Sequence, residues 1–375
     1  ICPEPLYIVH KFGGICIGRS IHPCRFSSTS SFLNASFLKA LRMASEPPFL
    51  DAYKVLIEKT NLNKCFSCLP HNEVEECELP LIDLSQLSLG RAERERCKTL
   101  IAAASMEYGF FQVVNHGISP VILEKMRKEQ VEVFKQPFEH KIEVTKQNFS
   151  AGTYRWGSPS ATKLDQLCWS EAFHIPMTDI ATAMDGSNTS LSSTIEQFAS
   201  TAANLAQMLS EILAEKLGKR SIIFRENCLP VSCYLRLNRY PPCPLAREIY
   251  GLMPHTDSDF LTIVHQDQVG GLQLVKDGKW FAVKPNPRAL IVNIGDLFQA
   301  WSNNVYKSVE HRVVTNPRVE RFSTAYFFCP SVDTVISSGC HSSIYKKFSF
   351  REYKQQVQDD VKKFGNKIGL PRFLV

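Results

Sequence analysis

Between Val231 and Phe328 the chain packs seven short runs rich in β-branched and aromatic residues: VSCYLRLNRY, FLTIVHQD, GLQLV, KWFAV, ALIVNIGD, KSVEHRVV and RFSTAYFF. Gly, Pro, Asn and Asp part them at close spacing. Strands this short and this close leave no room for the crossover helices of a parallel sheet. The pattern therefore predicts an antiparallel sandwich or jelly roll. Hydrophobic residues make up 44% of the 375 and charged residues 21%, an ordinary globular balance. No stretch approaches the roughly 18 apolar residues that a membrane helix needs.

The earlier part reads differently. LPLIDLS, from Leu79, is a short strand-like run. Residues 91–107 carry apolar residues at a helical period and stop before Gly109, and FFQVVNHG follows as a strand ending in a turn. Residues 120–135 and 194–217 read as two more amphipathic helices, the second ending at Gly218. Ser349 and Glu352 form a Ser-x-x-Glu capping box ahead of a final helix. The expected fold class is mixed α/β (α+β). A helical flanking region at 43–225 precedes a β-roll core at 226–348, and a C-terminal helix and tail follow at 349–375. No flexible linker divides the halves, so one domain is expected.

Residues 19–42 are rich in Ser and Arg and free of acids, as in a transit peptide. Met43 then opens MASEPPFLDAYKVLI, which reads as a start followed by a helix. Residues 1–42 are therefore expected to be a non-native or disordered extension, with an organellar presequence as the alternative, and they are left out of the fold. That segment holds Lys11, Arg19, Arg25, Lys39 and Arg42 against the single acid Glu4, so much of the net charge of +6 sits there. The near-neutral remainder offers no electrostatic footprint for nucleic acid. The thirteen cysteines are odd in number and scattered, which suggests reduced thiols. Cys65 and Cys68 form a lone C-x-x-C with no second pair at zinc spacing, more simply read as two loop cysteines. The expected compartment is the cytoplasm, with the nucleus second and a plastid only if residues 1–42 are a presequence.

No Walker loop, no G-x-G-x-x-G and no G-x-S-x-G elbow occurs, so nucleotide-binding and serine-hydrolase readings lose their main support. The β-rich half does hold His and Asp at metal-ligand spacing. His255 and Asp257, two residues apart, share a face of an extended strand, and His311 lies on a later strand. Two imidazoles and a carboxylate are the facial triad of non-haem Fe(II) oxygenases, which leaves coordination positions open. His265-Gln-Asp267 is a second His-x-Asp, so one such pair alone reads more simply as surface or turn polarity. Arg321 and Ser323 follow His311 on the next β-run. A guanidinium there suits a bidentate carboxylate, or else pairs with a distant acid.

In order, Asn238-Arg-Tyr240-Pro-Pro-Cys-Pro, His255-Thr-Asp257, VGGLQL, NIGD, His311-Arg-Val and Arg321-Phe-Ser323 resemble the plant soluble 2-oxoglutarate- and Fe(II)-dependent dioxygenases. FFQVVNHGI at 110–118 is also typical of them, and the resemblance runs from about Leu79 to the C-terminus. It implies a double-stranded β-helix with iron on His255, Asp257 and His311, and it leaves His265 off the metal. It implies 2-oxoglutarate on Arg321 and Ser323, assisted by Tyr240 and Asn238. The implied chemistry is hydroxylation by dioxygen, coupled to conversion of 2-oxoglutarate to succinate and carbon dioxide, with ascorbate in support.

A narrower resemblance lies in Thr153-Tyr154-Arg155-Trp156-Gly157 and Trp169-Ser-Glu-Ala-Phe173-His-Ile-Pro176, which are similar to gibberellin 2-oxidases of the branch acting on twenty-carbon precursors. It implies a small-molecule diterpenoid acid as substrate, bound by Tyr154, Arg155, Trp156, Trp169 and Phe173. From composition alone these aromatics read as core packing and Arg155 as a surface charge. Two other readings stand beside it: a dioxygenase of the same fold acting on a flavonoid or other specialised metabolite, and a binding protein without turnover. Oligomeric state is not legible.

Overall fold

The computed structural model describes residues 45–59, 74–143, 150, 152–158, 161–182, 190–246 and 248–375. The extension expected at 1–42 and the Cys65/Cys68 pair lie outside these residues. The strands before the expected core are β1 (Glu76–Cys77), β2 (Leu81–Asp83), β3 (Phe110–Val114), β4 (Tyr154–Trp156) and β5 (Glu171–Pro176). Then come β6 (Tyr234–Tyr240), β7 (Tyr250–His255), β8 (Leu261–Gln266), β9 (Leu272–Lys276), β10 (Lys279–Val283), β11 (Leu290–Ile294), β12 (His311–Val314) and β13 (Arg321–Phe328). The longer helices are α1 (Phe49–Lys59), α2 (Arg91–Glu107), α3 (Pro120–Phe134), α4 (Ser190–Lys216) and α5 (Phe350–Phe364). Among the described residues no helix is long and apolar enough to cross a membrane.

The larger sheet runs β2-β3-β11-β8-β13-β6-β5-β4 and the smaller runs β1-β10-β9-β12-β7. Apart from the short parallel pairs β1–β10 and β2–β3, every pairing in these two sheets is antiparallel. This is the jelly-roll architecture that the seven runs demand. Strand periodicity divides the labour within the larger sheet. In β6, Leu235 and Leu237 enter the helical core, whereas Tyr234, Arg236, Asn238 and Tyr240 line a cavity between the sheets. In β13, Phe322 and Tyr326 take the core side, and Arg321, Ser323, Ala325 and Phe327 line the cavity. All eight residues of β13 are buried, because α4 covers its other face.

Local signals set the helix ends. The turn after α2 places Gly109 at φ +63, where a Cβ would lie 2.2 Å from the Lys307 carbonyl oxygen, so only glycine fits. Ser119 caps α3 ahead of Pro120 at its first position. The capping box of α5 forms as expected: Glu352 N–H donates to Ser349 Oγ at 3.2 Å, and Ser349 N–H donates to Glu352 Oε2 at 2.6 Å.

The region 43–225 supplies the expected helices, but it also supplies strands. The sequence pattern did not signal β1, β4, β5 or β7. They are two to six residues long, and β7 contains Gly251 and Pro254, which depress strand propensity. Tertiary packing explains Gly251, since a Cβ there would lie 2.6 Å from the Tyr240 ring.

Behind β4, β5 and β6 lies a buried charge network. Glu171 accepts from Lys141 Nζ, from Arg239 at 2.6 Å and from the Tyr154 hydroxyl at 2.5 Å. Lys141 also donates to the Ser45 carbonyl at 2.6 Å. Replacing Glu171 with Leu would strand the buried Lys141 and leave Arg239 only Glu46 and Glu320, and a stability loss of about 3–5 kcal/mol is expected. Urea unfolding reads it directly, and a change below about 1 kcal/mol would contradict the network's role.

Candidate metal centre

The ladder brings the triad together. His311 on β12 stands directly across from His255 at the end of β7, with ring centroids 4.3 Å apart. Asp257 lies two residues beyond His255, just past the strand end, and turns back to the same face. Its Oδ1 lies 3.7 Å from His255 Nε2 and 3.8 Å from His311 Nε2. These three residues are the one cluster of metal-capable His, Cys, Asp or Glu among those described.

Each member is set up to present a lone pair. His255 Nδ1 lies 2.8 Å from the Met253 carbonyl oxygen, and His311 Nδ1 lies 3.1 Å from that of Val309. A carbonyl can only accept, so Nδ1 carries the proton and Nε2 is bare. Asp257 Oδ2 accepts from the Thr262 hydroxyl at 2.5 Å and from Asn293 Nδ2 at 2.7 Å, which leaves Oδ1 for the cavity. Burial and the neighbouring His311 push the His255 imidazole far below its ordinary value, so it is neutral at pH 7. Burial opposes ionisation of Asp257. The two imidazoles and the hydrogen bonds from Thr262 and Asn293 outweigh it and hold the carboxyl below the usual range.

A buried cation faces the triad from the larger sheet. Arg321 is 3% exposed, and one of its nitrogens donates to Gln266 Oε1 at 2.8 Å. Another reaches Ser323 Oγ at 3.5 Å, and the guanidinium lies 4.9 Å from the Tyr240 ring centroid. Its Nε and the nearby Gln266 Nε2 are buried without a hydrogen-bond partner. Ser323 Oγ also accepts from Asn238 Nδ2 at 3.3 Å, so its own proton is free to donate into the cavity. An orphaned buried guanidinium beside a free hydroxyl calls for an anion.

Residues 231–330, which contain all of these groups, match the 2OG-Fe(II) oxygenase superfamily. Residues 79–191 match the N-terminal region of non-haem dioxygenases in morphine synthesis. The chain is 62% identical over 337 residues to Gibberellin 2-beta-dioxygenase 8 of Arabidopsis thaliana, covering 88% of this chain and 98% of that protein. This chain belongs to the 2OG-Fe(II) oxygenases. Gibberellin 2-beta-dioxygenase 5 of Oryza sativa subsp. japonica is 48% identical, with 88% and 96% covered. Gibberellin 20 oxidase 1 of A. thaliana is 33% identical, with 72% and 74% covered. Among solved structures, JOX2 in complex with 2OG, Fe and JA aligns at a TM-score of 0.62 and 29% identity, over 79% of this chain and 91% of that one. The rice dioxygenase for auxin oxidation aligns at 0.65 and 26%, over 79% and 100%.

A 2OG-Fe(II) oxygenase is an oxidoreductase that uses Fe(II) and 2-oxoglutarate, and the donor sets here fit both. Two bare imidazole nitrogens and one carboxylate oxygen converge at metal distance, and the orphaned Arg321 suits a dicarboxylate. The second His-x-Asp lies elsewhere. His265 points to the opposite face of β8, where burial and then His116 and Arg127 push its imidazole down to about 4. Asp267 accepts the Phe322 N–H at 2.6 Å.

The residues expected to hold the substrate divide. Arg155 lines the oxygenase cavity, and so does His174. Tyr154, Trp156 and Phe173 do not, because strand alternation turns them to the other face, and neither does Trp169, which precedes β5. Tyr154 stands opposite Phe173 with ring centroids 5.1 Å apart, while Arg155 stands opposite Ala172. Trp156 packs against Phe138, and Trp169 stacks on Phe49 at 4.5 Å. Among the residues that escaped the sequence reading are Gln266, which holds Arg321, and the cavity residue Arg236. The alternation Arg236-x-Asn238-x-Tyr240 is the signal that could have found the second.

Proposed function

We propose that the chain hydroxylates gibberellins at carbon 2, the step that inactivates the hormone pathway. The observation that carries this reading is the 62% identity to Gibberellin 2-beta-dioxygenase 8 across nearly the whole of that protein, against 33% to a gibberellin 20 oxidase. A flavonoid substrate has no comparable support. Twenty-carbon gibberellins are the preferred substrates in this reading, on the resemblance of residues 153–157 and 169–176. The cytoplasm is the compartment proposed, on the scattered cysteines of the sequence.

In this proposal His255, Asp257 and His311 hold Fe(II), and Arg321 and Ser323 hold the distal carboxylate of 2-oxoglutarate. When bound, the metal and its cosubstrate supply dioxygen-driven hydroxylation of an unactivated C–H, with 2-oxoglutarate leaving as succinate and carbon dioxide. The protein's own part is positional. Thr262 and Asn293 aim the Asp257 carboxylate. Asn238 and Arg321 donate to Ser323 Oγ, which turns its proton toward the cosubstrate. The Tyr240 ring fixes the guanidinium plane. Phe110, Leu252, Val264, Leu272 and Val313 give the cavity of about 290 Å³ apolar walls that keep water off.

The test is product identity. Incubation with Fe(II), 2-oxoglutarate and twenty- or nineteen-carbon gibberellins is expected to give 2-hydroxylated products by mass spectrometry, with one succinate per product. Oxidation at another carbon, or turnover of flavonoids only, would overturn the reading.

A further inference from the structure

The cavity holds a second orphaned cation, which neither the metal nor the cosubstrate explains. Arg236 stands on β6 between Tyr234 and Asn238, on the cavity face. Its Nε is buried with no hydrogen-bond partner, and no ion pair forms with it among the described residues. It is paired with Ala325 on one side and with His174 on the other. His174 lines the same wall, its ring 4.2 Å from that of Tyr234. Burial, then Arg155 and Arg236, push that imidazole down to about 4, so it is neutral at pH 7 and adds a hydrogen-bond donor rather than a charge. Arg155 lines this end from β4, and among the described residues its one hydrogen bond is a 3.4 Å contact to the Gly152 carbonyl. The remaining cavity cation, Lys367, is engaged by Asp296 at 2.7 Å. Among the described residues, the one acid lining the cavity is Asp257 of the triad.

Register separates Arg236 from the cosubstrate clamp. Arg321 is paired with Tyr240, four residues along β6 from Arg236. At roughly 3.3 Å per residue the two rungs stand about 13 Å apart. A five-carbon dicarboxylate with one end on Arg321 and the other at the metal leaves Arg236 facing a different anion. A twenty-carbon gibberellin at the diacid level carries two free carboxylates. In a nineteen-carbon gibberellin one of them is closed into a lactone.

We infer that Arg236, with Arg155 beside it, is the carboxylate anchor of the substrate, and that it favours gibberellins whose second carboxylate is free over those in which it is a lactone. This rests on the gibberellin reading above and assigns that site its anion-binding end. The alternating period of β6 puts substrate recognition and cosubstrate recognition on one strand face, two rungs apart.

The experiment uses the full chain with Fe(II) and 2-oxoglutarate and the variants Arg236→Gln and Arg236→Lys. With a twenty-carbon diacid, Arg236→Gln is expected to raise KM about tenfold or more, the scale of one charge-assisted hydrogen bond, with kcat changed far less. KM for a nineteen-carbon lactone should move less, and Arg236→Lys should recover part of the loss. Calorimetric titration of the diacid under argon should show the same weakening. The affinity for 2-oxoglutarate without substrate should stay within about twofold. A fall in 2-oxoglutarate affinity equal to the fall for the diacid would assign Arg236 to the cosubstrate and overturn the inference. An unchanged diacid KM in an active enzyme would overturn it too, while the gibberellin reading stands. A wild-type protein that turns over no gibberellin would overturn both.

Discussion

Asp257→Ala is expected to abolish hydroxylation and to strip iron from the protein. The carboxylate is the only anion in the triad, and its Oδ1 is the point on which both imidazole Nε2 atoms converge. Without it, two neutral ligands remain, too few to set the facial geometry. The loss of iron affinity should exceed the roughly 10–100-fold typical of changes to residues that merely orient a ligand. Thr262→Val and Asn293→Ala, which remove hydrogen bonds to Asp257 Oδ2 but leave the three ligand atoms in place, should fall within that smaller range. His265→Ala is the internal control, since it lies on the other face of β8 and should keep its metal. Iron content after dialysis reads all four variants. Metal lost from His265→Ala but kept by Asp257→Ala would show that the ligands are misassigned.

Arg321→Lys should weaken 2-oxoglutarate binding while leaving iron in place. Lysine keeps the charge but gives up the planar fork, the contact with Gln266 and the fit over the Tyr240 ring. A loss of about 1–3 kcal/mol corresponds to a rise in KM of roughly 5- to 150-fold. Arg321→Met removes the charge as well and should do more. The two variants should differ from Asp257→Ala in one clear respect: their metal content is normal. An unchanged KM for 2-oxoglutarate would mean that the orphaned guanidinium serves something else.

The clustering of His255, Asp257 and His311, and of Arg321 with Ser323, was legible because each rests on chemistry-bearing residues at fixed spacing. His255 and Asp257 are two apart, Arg321 and Ser323 are two apart, and the strand period turns each pair to one face. The alternative raised for Arg321, a distant acidic partner, does not occur among the described residues. Substrate contacts were harder to read for the same geometrical reason. In the stretch 153–176 the large aromatics draw the eye, yet the period that places Arg155 and His174 in the cavity turns Tyr154 and Phe173 out of it. Composition cannot choose between the faces of a three-residue strand. The helices fared better, since Arg91–Glu107 and Phe350–Phe364 carry their own stop and cap residues. The strand Tyr250–His255 was invisible because its Gly251 answers to the Tyr240 ring across the cavity, a contact no local pattern records.

The larger sheet is woven from both halves of the chain: β3 is paired with β11, and β5 with β6. From α3, the Gln130 amide donates to the carbonyls of Asn238 and Ser323 at 3.0 and 2.9 Å, fastening the two strands that carry the clamp. Recombination between relatives must respect this weave. A crossover near residue 226, inviting because it divides helices from strands in the linear order, would ask each inherited ladder to zip against an unfamiliar mate. Exchanges that move β5 together with β6, and Gln130 together with β6 and β13, keep co-adapted partners in one parent. The natural unit of inheritance in this fold is therefore a spatial block drawn from distant stretches of the gene, and libraries shuffled on that plan should yield far more folded progeny than those cut at the apparent boundary.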